Sequence, residues 1–148
     1  MTPTGTPGVF TQSFTGDGHD TTFGGFTPTS QSTVDFSHPP NILISGGTFL
    51  ETFVGGTLFG TSTGSGTASG TGTATFAADF VFTGGTGIFV GATGSAHITG
   101  TITVTSPTTE AISDAHYTGT LDAVPEPSTM TLFAAGLAVY GWRRLRQP

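Results

Sequence analysis

The densest polar cluster in the sequence is Asp17-Gly-His-Asp20, two carboxylates three positions apart in a Gly-rich stretch. Asp17 and Asp20 could offer oxygens to a hard cation such as Ca²⁺. The ligand spacing of an EF-hand or an RTX repeat is missing, however, and a solvated turn is the plainer reading. His19, His38, His97 and His116 show neither HxH nor HExxH spacing, so no metal centre is written along the chain. Glu51 and Asp79 are the acids that fall inside clear strand patterns, and glycoside hydrolysis would need such a pair on facing strands. Thr63-Gly64-Ser65-Gly66 lies in low-complexity sequence and does not make a nucleophile elbow. With no cysteine in the chain, thiolate catalysis, Cys-based zinc sites and disulfides are excluded. These residues indicate no cofactor and give no positive sign of an enzyme.

A second group of residues carries a different chemistry. Residues 124–148 read VPEPSTMTLFAAGLAVYGWRRLRQP. Pro125 and Pro127 fix φ on either side of Glu126 and bias the preceding residues toward extended backbone, giving a protease-accessible spacer. Met130 to Trp142 is uncharged and mostly apolar, and Arg143, Arg144 and Arg146 close the chain. An apolar run backed by a basic cluster is a membrane arrangement with the arginines on the cytoplasmic side. Ser128 to Trp142 would rise roughly 22 Å as a helix against a hydrocarbon core near 30 Å, a short span suited to a temporary anchor.

The spacer, the short apolar run with Gly136 and Gly141, and the terminal arginines together resemble the PEP-CTERM sorting signal. The resemblance implies that an exosortase, a membrane transpeptidase-like protease, reads Pro125, Glu126 and Pro127 and cuts nearby. It also implies an exported protein of a Gram-negative bacterium that makes exopolysaccharide, anchored in the inner membrane through its tail before release to the cell surface or biofilm matrix. Proteins of this kind normally start with a signal peptide. Met1–Val9 has neither a basic n-region nor an apolar h-region, so the expectation is that the true start lies upstream or that the sequence is a fragment.

All the basic residues sit in the last six positions, so residues 1–142 carry nine acids and no Lys or Arg. Such a polyanion lacks the clustered positive charge that nucleic-acid phosphates require. Thr makes up about a fifth of the chain, and Gly (24) and Phe (13) are abundant. Short runs rich in Phe, Thr, Val and Ile alternate with Gly, Ser and Asp clusters, and no helical period precedes the tail. In Thr73–Phe82 the alternation puts Phe76, Ala78, Phe80 and Phe82 on one face. In His97–Val104 it puts Ile98, Ile102 and Val104 inward, with Gly100 marking a bulge or a close approach. Val9–Phe14, Thr21–Phe26, Gly47–Val54, Thr57–Gly60 and His116–Leu121 are further strands. Thr61–Thr73 reads either as a loose hairpin loop or as thin strands in mid-sheet.

Repeated short strands with Gly-rich turns predict an all-β, antiparallel fold, a β-barrel or alternatively a β-sandwich, followed by one short C-terminal transmembrane helix. Phe82–Ile98 (FTGGTGIFVGATGSAHI) resembles the segment of dirigent and allene-oxide-cyclase-like barrels in which a Gly-rich turn leads into a Phe that plugs the barrel, which favours the barrel. The predicted organisation is a disordered leader over residues 1–8, an extracellular β domain over 9–123 and the sorting tail over 124–148. The predicted role is structural or interactive, with the exosortase and exopolysaccharide as candidate partners. A ligand-binding barrel and a glycan-acting enzyme are the alternatives.

Overall fold

In the computed structural model, residues 1–70, 72–106 and 109–122 are described. Their strands are β1 (Thr2–Pro3), β2 (Val9–Thr15), β3 (Gly18–Asp20), β4 (Gly24–His38), β5 (Asn41–Phe53), β6 (Gly56–Ala68), β7 (Thr73–Gly85), β8 (Thr93–Ser106) and β9 (Thr109–Asp122). They form one antiparallel sheet in the order β1-β2-β4-β5-β6-β7-β8-β9, with β3 also paired to β4. The all-β antiparallel expectation holds. The barrel expectation holds in part: the sheet curls into a half-barrel, and among the described residues no ladder joins β1 to β9. A two-sheet sandwich is not what forms.

Both edges carry features that resist further pairing. β1 is two residues long and contains Pro3, which has no N–H to donate. β9 is broken by a bulge opposite Gly100, where Asp114 takes a φ of 51°. The segment 1–8, read from sequence as a disordered leader, contributes β1 to this edge. The transmembrane helix predicted in the tail lies outside the described residues; among those that are described, no helix is long and apolar enough to cross a membrane.

The curl follows from the sizes of the inward side chains. On β7, Phe76 pairs with Gly66 on one side and Gly100 on the other; Phe80 pairs with Ser62 and Ala96, and Phe82 with Gly60 and Gly94. Each large ring is flanked by small residues on both neighbouring strands, so the inner face can contract while the Thr-rich outer face spreads. At Gly60 a Cβ would run into the Val81 carbonyl oxygen and lie 3.0 Å from the Phe49 ring. The low-complexity stretch is therefore largely a mid-sheet strand, kept thin to admit its neighbours' rings.

β5 needs one further device. Ile42 and Ile44 face inward at even positions, whereas Phe49, Glu51 and Phe53 do so at odd ones. A bulge at Ser45-Gly46 changes the phase: Ile44 pairs with Gly64 and Gly47 with Ser62, leaving two residues opposite one. Gly46 has a φ of +59°, a conformation glycine adopts without a Cβ penalty.

Two apolar clusters result. Phe49, Phe53, Leu58, Phe82, Phe89, Ala92 and Ala96 form the larger one, and Val34, Ile42 and Ala74 the smaller. Phe89 comes from the 3-10 turn Gly87–Phe89 between β7 and β8, and at 1% exposure it plugs one end of the half-barrel. Its ring lies 5.0 Å from those of both Phe23 and Phe53. The inward placement expected of Ile98 and Ile102 agrees with their partial burial, while that of the Val104 side chain lies outside what is described.

Gly60→Ala is expected to destabilise the fold by about 2 kcal/mol, since backbone must move to admit the Cβ. Thr61→Ala on the exposed face should stay within about 0.5 kcal/mol. Urea unfolding midpoints of the two variants provide the measurement.

Candidate functional site

Glu51 stands on the inward face of β5 between Phe49 and Phe53, and only 4% of it is exposed. An acid at that depth must be neutralised or hydrogen-bonded. Tyr117 of β9 supplies the bond, its Oη donating to Glu51 Oε1 at 3.3 Å. β5 and β9 are separated by three strands, roughly 19 Å along a flat sheet. This hydrogen bond therefore spans the mouth of the half-barrel and exists only because the sheet curls. Phe80 lies beneath it, with its ring 6.2 Å from Tyr117 and 4.8 Å from Phe49.

Burial pushes the Glu51 carboxyl up to about 7; the Tyr117 hydroxyl works against that shift, and the charge of Asp20 adds to it. Burial and the adjoining Glu51 raise the Tyr117 phenol in turn, so it remains a donor. At mildly acidic pH the pair is a neutral carboxyl and a neutral phenol, which suits aromatic surroundings.

The residues singled out from sequence fall in different places. Asp79 projects from the opposite face of the sheet to Glu51, so the facing-carboxylate arrangement does not form. Its Oδ1 lies 2.7 Å from His97 Nδ1 in an exposed pair across β7 and β8. Exposed pairs of this kind contribute little to stability. Asp20 Oδ1 accepts from the backbone N–H groups of Thr22 (2.7 Å) and Phe23 (2.8 Å), so its carboxylate organises the β3–β4 turn. Asp17 is exposed. Among the described residues, no three His, Cys, Asp or Glu side chains are grouped to hold a metal. Sequence reasoning missed the Glu51–Tyr117 contact. The local signal was a lone acid at an inward position between two phenylalanines; its partner, 66 positions away, carries no signal of its own.

Pro125, Glu126, Pro127, Arg143, Arg144 and Arg146 lie outside the described residues. Their stretch is where the chain matches a known family: the model of the PEP-CTERM protein-sorting motif covers residues 123–146. The chain carries a PEP-CTERM sorting motif. It is thus an exported protein, with an exosortase as its processing partner at the membrane. Neither the curated proteins nor the solved structures include a match to it. The likeness of residues 82–98 to dirigent and allene-oxide-cyclase-like barrels is not shown by these comparisons, although a Phe does plug the end of the sheet. The PEP-CTERM match begins at residue 123, directly after β9 ends at Asp122, and covers none of the β-sheet.

Because the native state holds the Glu51 proton to about pH 7 and the unfolded chain releases it near 4.5, the native state binds more protons in between. Stability should be greatest below that window, fall by about 3 kcal/mol across it and level off above. Glu51→Gln keeps the shape and an acceptor for Tyr117, and should abolish the fall. Tyr117→Phe removes a bond that favours the ionised carboxylate, so it should move the window upward. Urea titrations across this pH range test both variants.

Proposed function

We propose that the β domain is a non-catalytic structural or interaction module, delivered to the cell surface or extracellular matrix by its sorting tail. The match at residues 123–146 carries this reading. In it, the tail holds the chain in the inner membrane with Arg143, Arg144 and Arg146 on the cytoplasmic side. The exosortase then cuts near Pro125, Glu126 and Pro127 and releases the body.

The domain's surfaces support such a role. The inner face is packed with phenylalanine rings, and its buried acid is bonded to a tyrosine rather than aimed into open space. A ligand-holding or glycan-cutting site would need converging polar groups around a cleft. The outer face is lined by exposed threonines on β5, β6 and β7, including Thr48, Thr52, Thr61, Thr63 and Thr75. Hydroxyls spaced along strands can hydrogen-bond a polysaccharide chain, which makes exopolysaccharide the candidate partner. The body's lack of Lys and Arg disfavours an anionic polymer, which would be repelled, and leaves neutral or cationic ones.

In a host with its exosortase, Pro125→Ala combined with Pro127→Ala should leave the chain uncut and membrane-associated. Replacing the three arginines by Gln should impair retention before cleavage. Fractionation with immunoblotting reads both, and a chain processed and located like the wild type in both variants would overturn the sorting role.

A further inference from the structure

Four large apolar side chains are exposed at one end of the half-barrel. Val54 caps the β5–β6 turn and is fully exposed, Ile88 and Val90 flank Phe89 in the β7–β8 connection, and Phe23 sits in the β3–β4 turn. Backbone contacts bring these turns together. Ile88 N–H donates to the Gly55 carbonyl at 3.1 Å, Thr86 N–H donates to Thr57 O at 2.8 Å, and the Thr57 and Thr86 hydroxyls lie 2.8 Å apart. Phe23 joins them through its ring contacts with Phe53 and Phe89. The apolar tips thus project from a hydrogen-bonded platform whose peptide groups are largely paired, as entry into a lipid interface requires.

The same end is where the chain leaves the domain. Thr93, the first residue of β8, pairs with Asp122, the last of β9, immediately beside the connection that carries Ile88 and Val90. Residues 123–148, with the sorting motif, follow from that point. Met130, where the apolar run begins, is eight residues beyond Asp122, so even a fully extended spacer reaches only roughly 27 Å. A chain anchored by that run has its apolar rim held within a short tether of the bilayer. Such tethering raises effective concentration enough for a small contact to matter.

We infer that Phe23, Val54, Ile88 and Val90 form a membrane-docking rim that rests on the lipid surface while the tail is uncut. The inference rests on the anchoring reading proposed above. The flanking acids Asp17, Asp20 and Asp122, with no Lys or Arg beside them, fit the rim to zwitterionic rather than anionic lipid. The contact is apolar insertion by loop tips and owes nothing to basic residues of the body. After cleavage the tether is lost, and a contact of four side chains no longer holds the domain.

The chain has no cysteine, so single-cysteine labelling is clean. Val54→Cys, Ile88→Cys and, at the far end of the sheet, Asn41→Cys are each labelled in the full-length chain with an environment-sensitive fluorophore. Each is then reconstituted into phosphatidylcholine vesicles containing spin-labelled lipid. The expected result is flotation of all three with the vesicles, a blue shift at positions 54 and 88, and quenching there severalfold greater than at 41. Adding anionic lipid should reduce that difference. Flotation with all three labels equally solvated overturns the rim and leaves the anchor standing. Failure to float overturns the anchoring reading and the rim with it. Shielding of positions 54 and 88 without vesicles, growing with protein concentration, identifies self-association and also overturns the rim.

Discussion

The curl of the half-barrel rests on a steric pattern carried by β7, where each inward phenylalanine has a small residue beside it on both neighbouring strands. The rings are those of Phe76, Phe80 and Phe82, with Gly66, Ser62 and Gly60 on β6 and Gly100, Ala96 and Gly94 on β8. Phe53 of β5, by contrast, stacks on Phe26 of β4. A curved sheet has less room inside than outside, and alternating ring with hydrogen is one way to take up the difference. Glycine in a strand normally weakens it, because it loses more backbone entropy and packs nothing. Here the rings of adjoining strands fill the space, and pairs such as Phe49–Phe80 at 4.8 Å recover contact energy beyond simple burial. Glycine admits aliphatic neighbours in the same way, Ile42 lying opposite Gly66 and Ile44 opposite Gly64.

The curvature makes the Glu51–Tyr117 bond possible, and that bond in turn resists flattening. A carboxyl among phenylalanines costs stability unless its hydrogen-bonding capacity is met. Tyr117 meets part of it from four strands along, so flattening the sheet would expose the rings and strand the acid together. A leucine at position 51 would pack without this dependence. The acid ties the stability of the curled sheet to its proton, in contrast to the exposed Asp79–His97 pair, whose loss leaves both groups to water.

Much of this was legible in sequence, and the failures have local causes. The alternation in Thr73–Phe82 gave the inward face of β7, and Gly100 does mark both a bulge and a close approach, of the Phe76 ring. The first half of β5 was missed because the bulge at Gly46 breaks the period on which strand reading depends. Most of β4 was missed because Pro28, Ser30 and Ser32 occupy its inward positions, where an apolar residue is the expected sign. Pro28 has no N–H to give its neighbours, and the edge ladder divides into β2 and β3 opposite it. That β1 and β9 do not pair among the described residues was not legible at all, because it depends on how far the whole sheet curls.

The tail and the body were unequally readable for a related reason. A sorting signal is recognised as a linear segment, so its chemistry sits in consecutive residues and needs no fold to assemble it. The body's features are assembled across the sheet: Glu51 meets a residue 66 positions away, and the exposed apolar tips come from three separate turns. Each of those turns, taken alone, exposes only one or two large apolar side chains, which soluble surfaces tolerate singly. Only the antiparallel register gathers them at the end where β9 finishes. Placement of the sorting motif after that end is therefore a property of strand number and direction. One strand fewer before the tail would put the spacer at the opposite end, beside the turns of Pro39-Pro40 and Ser69-Gly70, which carry no large apolar side chain.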